Sequence, residues 1–292
     1  MGAFVSDQAE GLRRLLRPDA LRVVALAAAL EGVGRTTVLY GLAAALAQRG
    51  RRILVMSERR HRIPADLAPT PRHDLATVLR GARPLDQAVA HGEQGVAWLE
   101  LGDALARLPS LDLAGQETLS AAFARMAQDV DVLLLDPLAG GRPASLALQL
   151  AAQEQVLVLC GAAEAITQSY ALIKRLARGF AQRHFHVVMA KVRAGSQAKA
   201  IYNNLAQTAG RHLGVRLEWL GELPMDAQAR QADRLGRSVV DAFPDSRAAA
   251  ASRQLAQAIE SWPWPDDGTE KPDAFVHKLV MTSRLAAENA HL

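Results

Sequence analysis

The sequence predicts an α/β fold in which a mostly parallel sheet is covered by helices on both faces. Three observations carry that expectation. Short apolar runs alternate with helical patterns almost to the end of the 292 residues. These runs are near-continuously apolar rather than alternating, as strands buried on both faces must be. The first run also leads through a glycine-bearing loop into an amphipathic helix, a unit that aims backbone N–H groups and a helix dipole at one point.

The strands are expected at Val23–Ala28, Ile53–Met56, Val96–Leu101, Val132–Leu135, Val156–Cys160, His186–Ala190 and Leu217–Leu220. Helices are expected near Gly41–Arg49, Gln116–Gln128, Thr167–Gln182 and Ser196–His212. In the first of these, Leu39, Leu42, Ala43 and Leu46 share one face and Gly50 marks the end. The Pro- and Arg-rich stretch Arg59–Pro71 reads as a long loop at the carboxyl end of the second strand, the end at which such sheets bind ligands. A helix from Ser246 to Trp262 follows Pro244, and WPWPDDGTEKP links it to a last helix from Asp273. Three regions result: an N-terminal segment 1–20, an α/β domain 21–262, and a linker with a C-terminal amphipathic helix 263–292.

The first strand–loop–helix unit sets the chemical question. The P-loop pattern is G-x-x-x-x-G-K-[ST]. In register, this chain offers Ala29, Gly34, Arg35 and Thr36, so the first glycine and the lysine are both replaced. The geometry for an anion is kept while the charge chemistry is altered. Candidate nucleotide-binding residues are Gly32, Val33, Gly34, Arg35, Thr36, Thr37 and Gly140, and candidate magnesium ligands are Thr36 and Asp136. Asp136 closes the run VDVLLLD, where a nucleotide hydrolase would hold the magnesium water shell; the alternative is a strand-end Asp capping a turn.

Composition narrows the partners. Lys and Arg exceed Asp and Glu by 34 − 30 = 4 with no long basic tract, so sequence-specific nucleic-acid binding is not implied. The single Cys160 excludes an internal disulfide framework, agrees with a reducing cytoplasm, and reads as a small hydrophobe rather than a nucleophile. No secretory leader is expected at the start, and the run from Val23 to Leu30 is too short to span a bilayer. The charged run Glu58–Arg62 reads as a solvated loop, and the eight His are scattered with no metal-ligand cluster.

In this order, the pieces resemble the MinD/ParA class of deviant P-loop ATPases, and within it the flagellar-number regulators of the FlhG/FleN family. Four passages carry the likeness: Asp7-Gln8-Ala9-Glu10-Gly11-Leu12-Arg13, matching a DQAxxLR motif; AITQSYALIKRL, from Ala165 to Leu176; GELPMD, from Gly221 to Asp226; and SWPWP followed by AFVHKLV. The resemblance implies ATP and Mg2+ as cofactors. It also implies departures, since the family loop KGGVGKT is here Leu30-Glu31-Gly32-Val33-Gly34-Arg35-Thr36. The lysine that reaches the dimer partner's phosphates is Leu30, and Glu31 adds negative charge beside them. Ser57 and Arg59 stand where an Asp-x-Asp positions water, and Ala190 where an Asn reads adenine.

These coincident changes lead to the expectation of a pseudo-ATPase acting through protein contacts in flagellar number or placement. The alternatives are a working ATPase in the same role and a ParA-like factor for DNA or other cargo. The resemblance implies as partners an FlhF-type GTPase engaged by Asp7, Gln8, Ala9, Leu12 and Arg13, a flagellar transcription activator, and a homodimer. Val5, Ala9, Leu12 and Leu16 lie at helical spacing in that segment, with Ser6 or Asp7 as cap. A cytoplasmic protein is expected. Phe275, Val276, Leu279 and Val280 form an apolar stripe that either touches the membrane surface or docks on the domain.

Overall fold

The computed structural model describes residues 21–58, 62–193, 197–263 and 272–289. Eight strands form one sheet: β1 Arg22–Ala27, β2 Ile53–Ser57, β3 Val89–His91, β4 Val96–Glu100, β5 Val132–Asp136, β6 Glu154–Leu159, β7 His184–Val192 and β8 Arg216–Pro224. Their order is β3-β4-β2-β5-β1-β6-β7-β8, and every pair is parallel except β3 with β4. All seven expected strands are present. The addition is β3, whose three residues carry too short a pattern to read from sequence.

Strand alternation divides the core. Val24, Leu26, Val55, Leu134, Val156 and Val188 face α1 (Arg35–Gln48) and α10 (Arg247–Glu260). Val23, Ala25, Leu54, Met56, Leu133 and Leu135 face the other way. There they meet α4 (Leu113–Ala127), with α5 (Pro143–Leu150) and α11 (Pro272–Glu288) on the same side. At the β7 end, Phe185, Val187 and Met189 pack under α6 (Ala163–Phe180) and α7 (Ala198–Leu213). Both faces are therefore covered, which is why the strands read as continuous apolar runs.

Five helices were not expected: α2 Leu75–Leu79, α3 Ala104–Arg107, α5, α8 Ala227–Leu235 and α9 Val239–Ala242. Four are short. PASLALQL in α5 is buried nearly all round and so shows no polar face, although Pro143 at its first turn is a start signal. The interval 62–71 is loop, as expected; residues 59–61, including Arg59, lie outside the described residues, as does the segment 1–20 with Asp7, Gln8, Ala9, Leu12 and Arg13.

The last helix lays its stripe on the domain, as one of the two readings expects. Phe275, Val276, Leu279 and Val280 are buried in the core, with Phe275 5.2 Å from the Phe123 ring in centroid distance. Lys278 Nζ donates to the Ala152 carbonyl and Arg284 to that of Leu111, so the cations beside the stripe are tied to the domain too. In this arrangement the stripe is not available to a membrane. An apolar stripe without a strongly basic face gains more from a protein surface than from anionic headgroups. No helix among the described residues is long and apolar enough to cross a membrane.

Candidate functional site

The site lies at the carboxyl ends of β1, β2, β5, β7 and β8. Gly34 caps α1 at φ +104°, and a Cβ there would sit 3.1 Å from the Ala190 Cβ, so glycine is required by both conformation and space. No side chain caps α1, leaving its N-terminal N–H groups to the loop and whatever the loop holds. Leu30 is partly buried against the core and Glu31 is exposed on the loop. Lys191, itself at φ +57°, donates from Nζ to the Gly32 carbonyl and braces the loop from β7. Gly140, at φ +88°, donates its N–H to the Ala28 carbonyl and ties in the segment after β5.

Arg35 decides what this site can do. Its side chain is 5% exposed and turns away from solvent, placing Nε 3.1 Å from Asp136 Oδ1 and Nη1 on the Pro137 carbonyl. Register sets Ser57 of β2 beside Asp136 of β5, and the Ser57 hydroxyl donates to Asp136 Oδ2 at 2.7 Å. Both Asp136 and Ser57 are fully buried. A buried charge persists only when paired and hydrogen-bonded; here the Arg35 guanidinium supplies the counter-charge of Asp136 and the Ser57 hydroxyl a hydrogen bond to it. The substitutions are mutually consistent: a carboxylate at position 57 would bring a second negative charge against Asp136, whereas a hydroxyl donates to it.

The residues here do not fit a magnesium ion. The carboxylate that would hold its water shell already faces a guanidinium, a cation fixed where the metal would need an anion. Thr36 and Thr37 instead border a neighbouring cavity of about 380 Å3 with Tyr40, Lys191, Asp226 and Arg230. Burial, then the charges of Asp136 and Asp233, push the Tyr40 phenol well above its ordinary pKa, so it remains a neutral donor to the Arg62 carbonyl. Val33 is buried in the core rather than lining this cavity, and Ala190 is buried at its wall.

Two groups escaped the sequence. Glu58, read as part of a solvated run, accepts from the Leu138 N–H at 2.8 Å and the Ser145 hydroxyl at 3.0 Å, clamping the segment after β5. Its place directly after a buried strand was the available signal. Lys191 gave none, because positive φ at a lysine is not written in local sequence. Asp226 of the GELPMD passage is structural, capping α8 at the Gln228 N–H and holding the Ala248 N–H of α10.

Comparison with known proteins places this geometry. The chain is 32% identical over 262 residues to the antiactivator FleN of Pseudomonas aeruginosa, covering 89% of this chain and 94% of that one. It belongs to the FleN family. No family model matches. This FleN-family chain also resembles the cell-division ATPase MinD of Pyrococcus furiosus, with TM-score 0.62 and 23% identity over 82% of this chain and 98% of that one. MinD of Pyrococcus horikoshii, complexed with Mg-ADP, aligns with TM-score 0.61 and 19% identity over 82% and 96%. At these identities the structural likeness establishes the MinD/ParA fold and nothing finer.

Proposed function

We propose that this protein regulates flagellar number or placement as a FleN-like antiactivator, by protein contacts and without appreciable ATP hydrolysis. The observation that carries the second half is the buried Arg35–Asp136–Ser57 set, in which Arg35 pairs with the carboxylate that would hold the magnesium water shell and Ser57 stands where a water-directing Asp is expected. Losing one such group typically costs a hydrolase orders of magnitude in rate, and here Leu30, Glu31, Arg35 and Ser57 depart together. The partner we infer is a flagellar transcription activator, in keeping with the antiactivator similarity. A homodimer lacks the lysine that would bridge its two nucleotide sites, since Leu30 packs inward.

Purified protein is expected to release no phosphate from ATP above the spontaneous rate, and calorimetry with ATP and Mg2+ is expected to show little or no heat. Phosphate release at the rate of an active relative would overturn this reading. Joint substitution of Leu30→Lys, Glu31→Gly, Arg35→Lys and Ser57→Asp should restore the clamp and raise ATP affinity by at least about tenfold. The open cavity beside Thr36 favours one second reading, nucleotide held without hydrolysis. Heat from ATP alone, unaffected by Mg2+, would select it.

Engagement of an FlhF-type GTPase by the segment 1–20 is part of the same proposal and needs no nucleotide at the altered loop. A peptide of residues 1–20 should stimulate that GTPase, with Gln8→Ala or Arg13→Ala removing the effect. Failure of the full chain to bind or stimulate would sink the GTPase partnership.

A further inference from the structure

Among the described residues, one group of side chains has metal-ligating spacing, and it lies at the end of the sheet opposite the glycine loop. Glu154 opens β6, His184 and His186 lie in β7, and Glu218 lies in β8. Alternation forces all four onto one face: Val156 and Val188, two residues along from Glu154 and His186, point into the core under α1 and α10. Three adjacent parallel strands then bring the four together. The sequence reading, in which the eight His are scattered without a metal-ligand cluster, is corrected here, because the acids that meet His184 and His186 lie on other strands.

The distances are those of ligands. His186 Nε2 lies 3.1 Å from Glu154 Oε2, while Glu218 Oε2 faces His184 Nε2 at 3.1 Å and the other ring nitrogen of His186 at 3.6 Å, and its second oxygen pairs with Arg216. The donor atoms of Glu154, His184 and His186 all fall within 4.8 Å of one another. A tetrahedral site with bonds of 2.0–2.1 Å spaces its donors about 3.3 Å apart. His184 Nε2 is buried and makes no hydrogen bond, despite its nearness to the carboxylate. A lid completes the site. Trp262 stacks on the His186 ring at 4.1 Å between centroids, and Arg22 holds the Trp262 carbonyl at 2.9 Å. His186 is 5% exposed while His184 is 41% exposed, so the cluster has a buried floor and an open mouth.

We propose that Glu154, His184 and His186 form a binding site for a divalent transition ion of the zinc class, with Glu218 beside His184. Two imidazoles with a carboxylate suit zinc, cobalt or nickel rather than magnesium or calcium, which prefer oxygen alone. The ion would cross-link β6 and β7 and fix the carboxyl end of α10 through Trp262.

Tag-free, chelator-treated protein titrated with Zn2+ is expected to bind one equivalent with a Kd in the micromolar range or below, and to gain several degrees in Tm. Co2+ in place of Zn2+ should give the visible absorption of a tetrahedral site. Ni2+ should quench the fluorescence of Trp262 on its stacked imidazole. His184→Gln, at the open mouth, and Glu154→Gln should each weaken Zn2+ binding by at least tenfold while the far-ultraviolet circular dichroism stays native. Absence of saturable Zn2+ binding by the native chain overturns the proposal. So does undiminished binding in both variants, which would place the ion elsewhere. Should a variant unfold, the Co2+ spectrum of the native chain decides: a six-coordinate spectrum or none counts against the site.

Discussion

Asp136→Asn is expected to destabilise the protein by about 3 kcal/mol, lowering Tm by about 6–12 °C. The substitution leaves the 5%-exposed Arg35 with the Pro137 carbonyl but without its counter-charge, and removing one member of a buried ion pair is among the costliest single changes. The outcome separates two roles for one residue. If Asp136 held a magnesium water shell, the amide would abolish hydrolysis with the fold nearly as stable as before. If Asp136 serves Arg35, stability falls and there is little activity to lose. Thermal melts of Asp136→Asn and of Asp136→Asn with Arg35→Met check this. The double variant removes both charges and should recover much of the loss, because it no longer leaves a buried guanidinium without a counter-charge. A single variant that melts with the wild type would show that the pair contributes nothing.

Phe275→Ala is expected to cost about 3–4 kcal/mol, as a large buried aromatic side chain is truncated between α11 and α4. Val280→Ala, at a fully buried position of the same stripe, should cost less because fewer methyl groups are removed. Denaturant melts measure both. The same proteins in liposome sedimentation address the other reading of the stripe. A helix docked on the domain gives little membrane binding in the wild type, whereas a membrane-binding helix gives binding that Phe275→Ala removes without changing the melt. The second pattern would mean that α11 leaves the domain to act.

Periodicity and composition alone placed the seven main strands, the large helices and the glycine loop. Each of these signals is local: a strand buried on both faces must be apolar throughout, and a left-handed residue before a helix is usually glycine. The same local reading found that the loop had changed its charges, since Leu30, Glu31, Arg35 and Ser57 sit at countable positions. What became of those charges was not local. Arg35 and Asp136 are about a hundred residues apart, and only the β2–β5–β1 neighbourhood brings the guanidinium, the carboxylate and Ser57 into one buried contact.

The final helix made the same point at the opposite end of the chain. Its stripe was legible, but a membrane and a protein core ask for the same stripe, and its docking beside α4 and α5 is visible only in the tertiary structure. The His184–His186 cluster depended on topology as well. An alternating strand puts two histidines on one side, but the acids that meet them arrive on β6 and β8, whose adjacency to β7 is a property of the sheet. Local chemistry is written along the chain; which charges meet is decided by strand order, because burial makes each charge find its partner across the fold rather than along it.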